Sequence, residues 1–177
     1  MPRLFTGVEI PREVADSLAL LRGGLPGARL VDPENYHLTL RFIGDVDDAI
    51  AHEIGELLGR VRRRGFEIML GGLDQFGGRK PRAVYAAANA NPALLELQAE
   101  HERLLQRMGL PPESRKYTPH VTLARLRDAS TRAVAEYLSS HGYFRSPAFA
   151  IPRFVLFSSR ASTGGGPYVV EAAYPLE

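Results

Sequence analysis

Tyr36-His37-Leu38-Thr39-Leu40-Arg41-Phe42-Ile43-Gly44-Asp45 and Pro119-His120-Val121-Thr122-Leu123-Ala124-Arg125-Leu126-Arg127-Asp128 are two copies of one signal. Strand side chains alternate between faces, so His37 and Thr39 share one face while Leu38 and Leu40 point to the other. His120 and Thr122, against Val121 and Leu123, repeat the arrangement. Such a strand has its core on one side and a polar surface on the other. A helical pattern follows the Asp in both copies, so the likeness extends from residues to local architecture. A duplicated, pseudo-symmetric α+β fold is implied, and a pseudo-twofold axis relating the two strands would bring both polar faces into one groove.

Outward from these copies, the chain alternates strand and helix signals. Arg3 to Ile10 reads as a strand, and Pro11 sits where a helix can start without losing a backbone bond. Val14, Leu18 and Leu21 recur at helical spacing until Gly23-Gly24 opens a Pro/Gly loop. Asp47 or Asp48 can cap a second helix with an Ile50, Ile54, Leu57, Leu58 and Val61 stripe. Its basic end, Arg60 to Arg64, suits either RNA or the negative end of the helix dipole, and the second reading is the plainer one. Phe66 to Leu73 and Ala83 to Ala88 read as strands around the Gly77-Gly78 turn. Asn91 and Pro92 open a third helix that Gly109 ends, and Ser130 caps a fourth that stops before Gly142. Two closing strands, roughly Phe149 to Ser158 and Tyr168 to Tyr174, are joined through residues 162–166.

The 177 residues suffice for one ordinary domain or two small intertwined lobes with a real core, and 45% hydrophobic with 24% charged residues is a globular composition. The absence of cysteine excludes disulfides, thiolate zinc sites and Cys nucleophiles, and it suits a reducing cytosol. The N-terminus lacks an apolar signal region and no stretch is long enough to span a bilayer, so a cytoplasmic protein without membrane partners is expected. Net charge is +2, with Lys80 and Lys116 the only lysines. Arginine's planar fork suits phosphate, but a GC-rich genome produces the same bias, and so small a charge is a weak nucleic-acid signal.

Two imidazoles and two hydroxyls in one groove are a minimal kit for cleaving a phosphodiester. A neutral His takes a proton from water, a protonated His delivers one to the leaving oxygen, and the hydroxyls donate to phosphoryl oxygens as charge builds. A single His in an amphipathic strand is more often a hydrogen-bonded structural residue. Packing, however, would repeat the apolar residues rather than the polar ones. A zinc or iron site is the other sharp reading, yet no Cys exists and no carboxylate stands at a ligand spacing from either His. His52, His101 and His141 lack the repeated context and read as structural or exposed.

Two His-x-Thr-Leu tetrads about eighty residues apart resemble the two-histidine phosphoesterase superfamily. More narrowly, Arg3-Leu4-Phe5 leading to Ile10-Pro11, Asn35 to Gly44, Pro119 to Arg125 and Gly166-Pro167-Tyr168 resemble the bacterial and archaeal RNA 2′,3′-cyclic phosphodiesterases, also called 2′-5′ RNA ligases. The likeness covers nearly the whole chain. It implies a bilobal fold of two antiparallel sheets lining a central cleft with helices outside, all of residues 1–177 forming one domain of two intertwined lobes. It also implies no metal or other cofactor, and hydrolysis of RNA 2′,3′-cyclic phosphate ends to 2′-phosphates. His37 then matches the proton donor, His120 the acceptor, and Thr39 and Thr122 the phosphate-binding threonines. Ligation of tRNA halves, with a ribose hydroxyl replacing water, would be a side activity of a monomeric enzyme.

Arg125, Arg82, Phe5 and Tyr168 are further substrate-binding candidates. Arg125 is an odd number of residues from His120, so a regular strand would turn it away from the cleft unless a bulge or the strand end restores it. Two other readings stay open: a related enzyme acting on a small cyclic nucleotide or nucleotide-sugar, and a non-catalytic RNA-binding relative. The latter should have lost a His or Thr from one tetrad, and both tetrads are complete.

Overall fold

The computed structural model describes residues 2–89, 91–159 and 167–177, so the expected link through residues 162–166 lies outside the described residues. In chain order the elements are β1 (Arg3–Glu9), α1 (Arg12–Ala19), β2 (Ala28–Leu30), β3 (His37–Asp45), α2 (Asp48–Leu58), β4 (Phe66–Ile68), β5 (Leu70–Phe76), β6 (Ala83–Ala88), α3 (Pro92–Arg107), β7 (His120–Leu126), α4 (Thr131–His141), β8 (Phe149–Ile151), β9 (Arg153–Ser159) and β10 (Tyr168–Pro175). The helix starts follow their caps. Asp47, Asn91 and Ser130 each accept a backbone N–H from the first turn, relieving donors that the helix itself cannot satisfy.

The main sheet runs β10-β9-β1-β3-β7-β6-β5, with β2 on the other side of β7, and every pairing is antiparallel. Its two halves meet at a single residue pair, Leu38 opposite Val121. These are equivalent positions of the repeat, so the pseudo-twofold axis passes through that pair. The expected bilobal, two-sheet α+β architecture is therefore what the chain adopts, with the two sheets touching edge to edge where the copies meet.

The symmetry reaches the hydrogen-bond register. On β1, Val8, Gly7, Thr6 and Phe5 lie opposite Leu38, Thr39, Arg41 and Phe42; on β6, Ala86, Tyr85, Val84 and Ala83 lie opposite Val121, Thr122, Ala124 and Arg125. Leu40 and Leu123 are skipped in turn, so each copy carries the same bulge at the same place. A bulge inserts one residue and resets which side the following ones face. Leu40 and Arg41 are accordingly buried in succession, as are Leu123 and Ala124, and the next residue of each copy, Phe42 or Arg125, returns to the open face.

Beneath the sheet Leu38, Leu40, Val121 and Leu123 join one contiguous apolar core that draws on both halves, with Leu94, Leu97 and Leu105 of α3 and Val134 of α4. Full burial of one such side chain stabilises by about 1.5–3 kcal/mol, and Leu38→Asp, at the point where the sheets meet, would cost more than that because it also buries an unpaired carboxylate. Arg41 enters this interior with a partner: its guanidinium lies 2.9 Å from Glu102 of α3 and donates to the carbonyl oxygens of Phe42 and Pro111. A buried charge needs such pairing to be tolerated.

Three elements depart from the sequence reading. The expected strand Phe66 to Leu73 is broken at Met69 into β4 and the longer β5, and Phe149 to Ser158 is broken at Pro152 into β8 and β9. Pro lacks the N–H that a ladder needs, and the short halves β4 and β8 pair with each other as a separate two-stranded sheet. The Pro/Gly loop after α1 contains β2, which pairs with β7. Arg60 to Arg64 follow α2 rather than ending it. No helix among the described residues is long and apolar enough to cross a membrane.

Candidate active site

The antiparallel register through Leu38 and Val121, carried one residue either way, sets His37 against Thr122 and Thr39 against His120. All four side chains lie on the face opposite the core and are partly exposed. The bulges come after the threonines and leave this quartet undisturbed.

Each imidazole is held at its rear. His37 Nδ1 donates to the Asn35 carbonyl at 2.9 Å and His120 Nδ1 donates to the Thr118 carbonyl at 2.6 Å, the acceptor in both cases lying two residues earlier. A proton fixed on Nδ1 leaves Nε2 as the working nitrogen, neutral and accepting or protonated and donating. On His37 that nitrogen is 2.9 Å from the Thr39 hydroxyl. The two sheets are also latched near here, since Tyr117 donates to the Thr39 carbonyl at 2.8 Å.

Aromatic rings wall both imidazoles. His37 has Phe5 at 4.8 Å, Tyr168 at 5.0 Å and Phe157 at 5.7 Å between ring centroids. His120 has Phe76 at 4.8 Å and Tyr85 at 5.2 Å. Phe76 and Phe157 are equivalent by the register, but the inner ring is exchanged: Phe5 and Gly7 on β1 stand where Ala83 and Tyr85 stand on β6. Gly7 is required in its own right, because a Cβ there would meet the Leu38 carbonyl oxygen at 2.8 Å.

Burial pushes the His37 imidazole down to about 4, against the pull of its bond to Asn35, and the fields of His120 and Arg125 press the same way. His120 is lowered too, first by burial and then by Arg125, its bond to Thr118 opposing. Both rings are thus neutral at pH 7 in the unliganded protein, and an anion placed between them would restore their affinity for a proton.

Of the further candidates, Arg125 is turned back to the face of His120 by the bulge, the condition that the sequence reading required. Tyr168 is half-buried with its ring edge against His37. Phe5 is 3% exposed and stands behind the imidazole rather than in the open groove. Arg82 is exposed just ahead of β6, and its carbonyl accepts the Leu126 N–H at 2.8 Å. The sequence reading missed Phe76, Tyr85, Phe157 and Phe42. The first three come from strands whose register no local pattern announces; Phe42 could have been found, because it occupies in the first copy the place of Arg125 in the second. Of the other histidines, His101 is fully buried and bonded to Thr6 at 2.9 Å, and His52 is exposed beside Glu56. Among the described residues no three His, Cys, Asp or Glu side chains are grouped where they could hold a metal ion.

The model of the LigT-like phosphoesterase family matches residues 8–85 and again 86–168, one match for each copy. The RNA 2′,3′-cyclic phosphodiesterase of Aeropyrum pernix is 42% identical over 116 residues, 64% of this chain, and the chain spans only 64% of that relative's length. The RNA 2′,3′-cyclic phosphodiesterase of Thermotoga maritima is 31% identical over 177 residues, covering 95% of this chain and 92% of the relative. The crystal structure of E. coli LigT complexed with 3′-AMP superposes with a TM-score of 0.81 at 27% identity, covering 99% of each chain.

Proposed function

Because the chain belongs to the LigT-like phosphoesterase family, we propose that it hydrolyses RNA 2′,3′-cyclic phosphate ends to 2′-phosphomonoesters, with His37 as proton donor and His120 as proton acceptor. The observation that carries this reading is the pair of imidazoles, each with Nδ1 tied to a backbone carbonyl, crossed against two threonines over the Leu38–Val121 contact.

In the reaction, Nε2 of neutral His120 takes a proton from water as the water oxygen bonds to phosphorus. The bond from phosphorus to the ribose 3′-oxygen breaks, and protonated His37 delivers its Nε2 proton to that oxygen. The phosphate stays on the 2′-oxygen. Thr39, Thr122 and Arg125 meet the non-bridging oxygens, whose charge grows in the transition state. Tyr168 edges the His37 side, and Phe5 fixes the donor ring from behind. The two imidazoles supply both proton transfers, so no metal is needed to activate the water. A ribose 5′-hydroxyl in place of water would give a 2′-5′ linkage by the same transfers, the route to joining tRNA halves.

The test is mass spectrometry of an oligonucleotide ending in 2′,3′-cyclic phosphate after incubation with the protein in EDTA. A gain of one water with a 2′-phosphate product supports the reading. No conversion, or conversion abolished by EDTA and restored by a divalent ion, overturns it.

A further inference from the structure

The two ends of the cleft differ in charge although its strands are symmetric. On the second copy Arg125 lies on the open face, and its partner across β2 is Arg29, so the two project together. Arg127 follows in the bend just after β7, and Arg79 and Lys80 occupy the turn between β5 and β6. All five are exposed, and among the described residues none is within ion-pair distance of a carboxylate. The first copy has Phe42 and Gly44 where the second has Arg125 and Arg127. Beyond His37 lies a groove of about 570 Å³ whose walls include Asp16, Asp32 and Glu34, with Arg12 the lone arginine.

The basic run visible in the sequence is weaker than it looks. Arg63 is 2.5 Å from Glu100 and 3.4 Å from Glu96, and Arg62 donates to the Gly59 carbonyl. Free positive charge therefore collects where β2, β7 and the β5–β6 turn meet, from residues far apart in the chain. Unpaired cations beside the two-histidine cleft attract further phosphates, while an acidic rim repels them.

We propose that the rim formed by Arg29, Arg79, Lys80 and Arg127 holds the backbone of single-stranded RNA leading up to the cyclic phosphate, so that the chain enters over the second copy and the protein acts on polymer ends in preference to mononucleotides. The proposal rests on the reading of the cleft as an RNA-end phosphodiesterase.

Two substrates test it: an eight-nucleotide RNA ending in 2′,3′-cyclic phosphate, and a 2′,3′-cyclic mononucleotide. About three backbone contacts add a slope near −2 to log kcat/KM of the oligomer against log salt, a fall on the order of fifteenfold from 50 to 200 mM beyond that of the mononucleotide. The mononucleotide should fall only about two- to threefold. Arg29→Ser with Arg127→Ser should lower kcat/KM on the oligomer on the order of tenfold and leave the mononucleotide within about twofold. Arg60→Ser with Arg64→Ser should leave both unchanged. Anisotropy of a 5′-fluorescein oligomer ending in 2′-phosphate reads binding without turnover, and should lose affinity in the first variant alone. Equal salt slopes for the two substrates, an equal loss on both, or a loss caused by the Arg60 and Arg64 changes instead overturns the rim. Absence of hydrolysis on either substrate with the anisotropy pattern intact would overturn the phosphodiesterase reading and leave the rim standing.

Discussion

Phe42 and Arg125 occupy one position in two symmetric settings: each follows a bulge that skips the leucine after the Thr of its copy, and each returns to the cleft face beyond its His and Thr. The duplication has thus kept its backbone and its acid/base groups while dividing the neighbouring position into an apolar end, with Phe42 56% exposed, and a cationic end. Arg125 lowers the proton affinity of both imidazoles. Replacing it by Ala should raise the pKa of His37 and of His120 and shift the pH profile upward, and it should also raise KM as the phosphate loses a charge-assisted donor. Titration of the imidazole carbon protons by NMR, set beside the rate profile, checks this; an unmoved titration would separate Arg125 from the pair.

The protonation states give a second expectation. Hydrolysis needs His37 charged and His120 neutral, but burial leaves His37 near 4 and lowers His120 as well. The profile of kcat/KM, which reports the free enzyme, should therefore peak below pH 6.5 and decline as pH rises beyond it. A bound anionic diester favours the charged imidazole, so the maximum for kcat should lie at higher pH than that for kcat/KM. A kcat/KM that is level from pH 6 to 9 would contradict the assignment.

His37→Ala removes the proton for the leaving oxygen and His120→Ala removes the acceptor for the water proton. Each should cost on the order of 100- to 10,000-fold in kcat, and the double variant should be far less than multiplicatively worse because the groups serve one transition state. Thr39→Ala and Thr122→Ala should cost about tenfold to a thousandfold, as for one oxyanion donor. Of the two threonines it is Thr39 whose hydroxyl is bonded to a catalytic imidazole among the described residues, so Thr39→Ala should also move the titration of His37. Single-turnover rates separate these losses from weaker binding. Weaker binding alone, with turnover intact, would make the histidines binding groups.

How much of this was legible in the sequence follows from the range of the interactions. His37, Thr39, His120 and Thr122 were legible because period-two alternation is local and the copy repeats it. The helix starts at Asp47, Asn91 and Ser130 were legible because a cap reaches only two or three residues. The bulges were not, since skipping Leu40 or Leu123 is a relation to β1 or β6 and leaves no mark on β3 or β7 alone. Arg125 could therefore be given a condition but not a direction. Phe76 and Tyr85 reach His120 only through the order of strands, and the cationic rim depends on β2, a three-residue strand inside what reads as a Pro/Gly loop. Arg60 to Arg64, read chiefly as cations at a helix end, instead follow α2, and the pairing of Arg63 with Glu96 and Glu100 of α3 depends on a helix contact that no local pattern announces.

His101 supplies a prediction about stability that is independent of catalysis. The ring is fully buried, bonded through Nδ1 to the Thr6 hydroxyl and edge-on to Phe154 at 4.6 Å, while its Nε2 has no partner among the described residues. Burial, with a smaller contribution from Arg63, lowers its pKa from 6.5 to about 3. The unfolded chain binds a proton here below pH 6.5 and the folded protein does not until about 3, so stability is full above 6.5 and is lost as pH falls through that window. His101→Phe keeps a flat ring against Phe154 but strands the buried Thr6 hydroxyl, which should cost about 1–3 kcal/mol at pH 7. Having no titrating group at this site, the variant should lose less stability between pH 7 and 4.5 than the parent, so the two urea midpoints should converge on acidification. His37 and His120 contribute with the same sign in both proteins and cancel from the comparison. Parallel midpoints across that range would show that His101 is charged in the folded state or already neutral in the unfolded one.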